Sequence, residues 1–178
     1  MKQYIILFLI TSLLTACISV EFKDPQPKKG KPLNEYPEEF IGTYTSPDLD
    51  TIIVGKTYFI SNSLSLETDN KVKTTQKIEL SDSVLLKKVG HTFILNMRSK
   101  ENWSIVIFSK SSNGLTIDTF NANDKEFLAK LKSITKTEEV RDTDGNLKKI
   151  ILNPTEKEFK KIINTPSLFE KGELIKVQ

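Results

Sequence analysis

The sequence predicts an α+β fold dominated by antiparallel sheet, and three features carry that expectation. Short β-branched or alternating runs follow one another from Phe40 to Phe120, separated by turn residues, as half-buried strands require. Helical spacing enters only later, at Phe127, Leu128, Leu131 and Ile134, and again at Phe159, Ile162 and Ile163. A parallel α/β sheet would need helices between its strands from the start, and that pattern is missing. The expected architecture is therefore a predominantly antiparallel sheet, open or rolled like a barrel, with two helices in the C-terminal half.

Lys2 gives the start of the chain a positive charge, and a charge-free run from Tyr4 to Leu14 follows. That run is too short to span a bilayer, which takes about 20 apolar residues, and fits the core of a secretory signal. It ends in Leu14-Thr15-Ala16-Cys17. This tetrapeptide resembles the lipobox of bacterial lipoproteins: an aliphatic residue, two small residues and the cysteine that is modified. The resemblance implies a signal peptide over 1–16, cleavage before Cys17, diacylglycerol on the Cys17 thiol and often acylation of the new amino group. Small residues let the backbone enter a protease groove, and a thiol is needed to form the thioether. Two or three acyl chains, at about 0.8 kcal/mol per buried CH₂, hold a protein on a membrane stably. The expected location is the cell envelope. Ile18 stands where an Asp would favour inner-membrane retention, so the outer membrane is expected in a diderm cell.

Residues 17–37 read as the lipidated cysteine and a tether. Pro25, Pro27, Pro32 and Pro37 are four of the seven prolines, with Lys23, Lys28, Lys29, Gly30 and Lys31 among them. Such a composition favours extended backbone and a semi-rigid spacer, reaching on the order of 60 Å. Its lysines suit anionic head groups, although Glu21, Asp24 and Glu35 dilute them and a solvated linker is the simpler reading. Residues 38–178 are then expected to form one domain, enough for a single core.

Within that domain, strands are predicted at Phe40–Thr45, Thr51–Val54, Thr57–Ser61, Lys73–Leu80, Val84–Val89 and His91–Met97. Trp103–Phe108 and Leu115–Phe120 flank Asn113-Gly114, where glycine is expected to supply the positive φ of a hairpin turn. A helix follows Asn123-Asp124, with Asn123 and Glu126 as its capping pair. A second follows Pro154, with Thr155 and Glu158 as a capping box. Lys136–Val140 and Leu147–Leu152 form a hairpin around Asp142–Asn146, and Gly172–Val177 is a last strand.

Composition disfavours most chemistries. One Cys rules out an internal disulfide and a thiolate zinc cluster, and one His rules out a two-histidine site within the chain. His91 has no Gly-x-Ser-x-Gly elbow to serve. Asp142, Asp144 and Asn146 match the start of a calcium loop. However, Leu147 replaces its glycine and Asn153 its terminal Glu, so a polar turn is expected. Glu138-Glu139 and Glu156 with Glu158 are read as solvated charge, since i,i+2 carboxylates on a helix point apart. With Lys+Arg 26 against Asp+Glu 23 and two arginines, no nucleic-acid patch is expected. No cofactor and no metal are expected.

Finally, Tyr36-Pro37-Glu38-Glu39-Phe40-Ile41-Gly42-Thr43-Tyr44 is similar to the opening of lipocalin-like domains, where a short helical turn precedes a Gly-x-Trp strand. Tyr44 takes the aromatic place. The resemblance implies a pocket drawing on Tyr44, Tyr58, Phe93 and Trp103 that would take an apolar ligand. The sequence as a whole is read as a non-enzymatic, membrane-anchored binding or assembly module with an envelope protein or apolar molecule as partner. A lipocalin-like carrier and an envelope hydrolase, using His91 or a carboxylate pair, are the alternatives.

Overall fold

Both faces of strand β8 (Asn102–Lys110) are covered by apolar residues, and the architecture follows from that. Trp103, Ile105 and Ile107 are buried on one face, while Phe108 packs into a separate core on the other. The computed structural model describes residues 18–47, 51–67 and 70–177. Among them, every named strand belongs to one sheet. From β6 (Val84–Val89) the path runs through β7 (Thr92–Ser99) to β8, then β9 (Gly114–Phe120) and β12 (Phe169–Lys176). It continues through β2 (Gly42–Thr45), β3 (Thr51–Val54) and β4 (Tyr58–Glu67) to β5 (Asn70–Glu79). All these neighbours are antiparallel.

A second ribbon joins at β8. Strand β1 (Ser19–Phe22) pairs there through Phe22 and Trp103. On its other side β1 runs parallel to β11 (Leu147–Leu152), which pairs with β10 (Thr137–Arg141). The first core lies on this side. Helices α1 (Phe127–Lys132) and α2 (Glu156–Ile163) bring Phe127, Leu131, Phe159 and Ile162 onto Phe22, Ile105 and Ile150. The Phe22 and Phe159 rings meet edge to face at 5.9 Å, a favoured aromatic arrangement.

The second core lies inside the curl of the long path. Leu86, Phe93, Leu95, Leu115, Leu174, Tyr44 and Val54 converge there from β6, β7, β9, β12, β2 and β3. The sheet remains open. The gap between β6 and the β3–β4 turn is bridged by the chain before β2: Leu33 pairs with Leu86, and the Tyr36 amide donates to Lys56 O at 2.7 Å.

The tether expectation is corrected here. Residues 19–22 form β1, with Val20 and Phe22 in the core, and the chain that follows is docked rather than free. Gln26 is 1% exposed; its amide donates to Asn96 Oδ1 at 2.6 Å, and its carbonyl accepts from Asn96 Nδ2 at 2.8 Å. Lys87 Nζ donates to the carbonyls of Pro25 and Pro27. Prolines do favour extended chain, but here buried side chains from β6 and β7, rather than water, satisfy its carbonyls. The folded unit therefore starts near Ser19, not at 38.

Two local expectations also change. Gly114 does not have positive φ; it opens β9, where a Cβ would sit 2.0 Å from Leu174 O of β12, so glycine is needed for close approach. Helix α1 starts without Asn123 as its cap, and Asp124 Oδ1 instead accepts from the Glu126 amide. The Thr155–Glu158 capping box of α2 is present in both directions. No helix among the described residues is long and apolar enough to cross a membrane.

Candidate functional site

Alternation on β3 and β4 brings Ile52, Val54 and Phe59 to the inner side of the curl, and β9 does the same with Leu115 and Ile117. Between them lies a cavity of about 100 Å³. Leu86, Val106, Phe108 and Leu174 complete its side walls, and Tyr36 and Phe40 contribute from the chain that precedes β2. Phe40 ends a 3-10 turn, Glu38–Phe40, and stands edge-on to Phe93 at 4.8 Å. Its carbonyl accepts from Tyr44 Oη at 2.8 Å, which pins the turn onto β2.

The wall is chemically uniform. Every lining residue is apolar except Tyr36, whose hydroxyl is buried without a hydrogen-bond partner. Burial pushes that hydroxyl far above the ordinary tyrosine range, so it stays protonated at any physiological pH. No oxygen or nitrogen faces the cavity.

The four residues expected to line a pocket are not brought together. Tyr44 and Phe93 belong to the same core as the cavity but do not line it. Trp103 lies in the other core, with the Arg98 guanidinium 5.7 Å from its ring centre. Tyr58 starts β4 half-buried, with Lys77 Nζ over its ring. Cys17 lies outside the described residues. Nine of the eleven lining residues lie on strands that the sequence predicts and the fold contains, but alternation alone does not say that these strands face a common cavity. Tyr36 and Phe40 belong to the lipocalin-like stretch, and only the folded chain brings them to the cavity.

The other candidate groups are occupied by local structure. His91 is exposed beside the β6–β7 turn. Glu138 pairs with Lys23, and Glu139 with Lys132 and Arg141. Hydrogen bonds from those partners hold both carboxyls below their usual range. Asp142 Oδ1 accepts from the amides of Asp144 and Asn146, and Lys148 pairs with its other oxygen, so the would-be calcium loop is closed on itself. Among the described residues no three His, Cys, Asp or Glu side chains gather into a metal site. Asp118, on the face of β9 opposite Leu115 and Ile117, has one buried oxygen without a partner, and burial raises its carboxyl against the pull of Lys171.

Compared with known proteins, the chain matches no family model, no curated protein and no solved structure.

Proposed function

We propose that this chain is an envelope lipoprotein, anchored through Cys17, whose folded body binds a small apolar ligand and does not catalyse a reaction. The observation that carries the binding role is the apolar cavity inside the curl, whose only titratable lining side chain is a permanently neutral tyrosine. Such a wall can desolvate and hold a hydrophobic molecule, and it offers nothing to activate a nucleophile or move a proton. A panel of apolar ligands should raise the melting temperature and shift the methyl NMR signals of Leu86, Leu115 and Leu174. A panel that leaves both unchanged would refute the binding role. Trp103 emission is a poor reporter, because that ring lies in the other core.

The anchor rests on the resemblance of Leu14-Thr15-Ala16-Cys17 to a lipobox. Because β1 begins at Ser19, an acyl group on Cys17 would join the chain two residues before the sheet. At about 3.3 Å per residue the body would then stand at the membrane surface, without a long spacer between them. Labelled fatty acid should enter the wild type in cells, and Cys17→Ser should lose both label and membrane association. A Cys17→Ser protein that stays in the membrane fraction would refute the anchor.

A further inference from the structure

The geometry points to a narrower ligand class: compact, wholly apolar molecules of about six heavy atoms, with acyl chains and polar head groups excluded. This inference rests on the binding reading above and sharpens it. Size is the first argument. A cavity of about 150 Å³ lined by aliphatic and aromatic side chains holds benzene or xenon. The cavity here is about 100 Å³, whereas pockets for larger ligands run from about 300 Å³. A ring or a short branched hydrocarbon fits with slight wall movement, and a long chain does not.

Surface chemistry is the second argument. The cavity presents carbon alone, since the Tyr36 hydroxyl is buried in the wall without facing it. Water in such a space would find none of the two to four partners it needs. A carboxylate or hydroxyl brought in by a ligand would likewise go unpaired.

Access is the third argument. Ile52, Phe59, Val106, Phe108 and Ile117 are only half-buried, so the apolar wall reaches the surface. Phe40, whose carbonyl accepts from Tyr44 Oη, is held in the same wall. A compact solute can enter past the half-buried side chains and be enclosed, whereas most of a long chain would stay outside a cavity of about 100 Å³.

The test is methyl NMR on the full chain in lipid nanodiscs, titrated with xenon, benzene, phenol and palmitate. Xenon and benzene should shift the signals of Leu86, Leu115 and Leu174 saturably. Phenol should bind about tenfold or more weakly than benzene, and palmitate should leave those methyls unmoved. Val106→Phe, which places a ring in the space, should weaken benzene about tenfold or more without lowering the melting temperature. If that variant fails to fold, Val54→Leu fills the same space more gently and should act in the same direction. Undiminished benzene binding in the folded variant would overturn the assignment. Phenol binding as tightly as benzene would overturn the exclusion of polar groups. Palmitate moving these methyls while xenon and benzene do not would overturn the compact class and leave the apolar binding role standing. Silence from all four probes would remove both.

Discussion

Asn96→Ala tests whether the chain before β2 belongs to the folded body. Asn96 is fully buried on β7, and its amide group is divided between strap and sheet. Oδ1 accepts from the Gln26 amide at 2.6 Å, and Nδ2 donates to Gln26 O at 2.8 Å and to Ile94 O at 3.2 Å. Truncation leaves the Gln26 amide and carbonyl without these partners in a residue that is 1% exposed. Each buried group stranded in this way costs about 1–3 kcal/mol, so the loss should be about 2–6 kcal/mol unless the strap detaches. Detachment limits the loss, because water can then reach Gln26. Lys87→Met removes the donor to Pro25 O and Pro27 O on the same strap. The two substitutions should therefore be less than additive, since the first to free the strap removes what the second would lose. Urea unfolding followed by circular dichroism measures both variants and the double variant, and amide exchange at Gln26 reports detachment directly. An Asn96→Ala loss below about 0.5 kcal/mol, with Gln26 exchange as fast as in an open chain, would refute docking and restore the spacer.

Other perturbations follow from the same contacts. Gly114→Ala forces a methyl toward Leu174 O, only 2.0 Å from the ideal position, and should cost about 1–3 kcal/mol by thermal melting as β12 shifts from β9. Thr155→Ala should cost about 1 kcal/mol in urea unfolding by removing the α2 cap. Hydrogen bonds from the Thr155 amide and hydroxyl hold the Glu158 carboxyl below its usual range. Its contribution should be intact above the ordinary glutamate value and lost as pH falls through the lowered one, and Glu158→Gln should remove that acid-side dependence. Burial lowers the Lys87 ammonium below its ordinary 10.5, so the fold favours its protonated form less than the unfolded chain does. Stability should rise as pH climbs from the lowered value toward 10.5, and Lys87→Met should flatten that slope in melts across the alkaline range. Tyr36→Phe removes a buried hydroxyl without a partner and should leave stability unchanged or raise it by up to about 1 kcal/mol in urea.

Alternation and turn residues made much of the sheet legible. Thr51–Val54, Val84–Val89 and Leu147–Leu152 are strands over the residues the pattern marks, since each faces a core on at least one side. The α2 capping box was legible because all its partners lie within four consecutive residues. Strand β1 was not. Its four residues sit beside a proline-rich stretch, and its partners, Lys149 to Leu152 and Trp103, are far away in the chain. The role of Gly114 is not legible for a related reason: its neighbour Leu174 lies sixty residues later, and the local turn chemistry points to positive φ instead. Strand alternation does not say which of two cores receives an aromatic residue. Trp103 and Phe93, which the lipocalin-like resemblance would put in one pocket, fall in different cores.

The antiparallel sheet, the α2 cap and the expectation of a lipid anchor at Cys17 all come from short-range pattern, where neighbouring residues carry the physics. The curl of the sheet, the docked strap and the apolar cavity come from tertiary structure. Each needs groups from distant strands to meet: Leu33 with Leu86, Gln26 with Asn96, Tyr36 with Leu115 and Leu174. Burial and unpaired polar atoms are properties of that meeting, and a single chain read in order contains the residues but not their encounter.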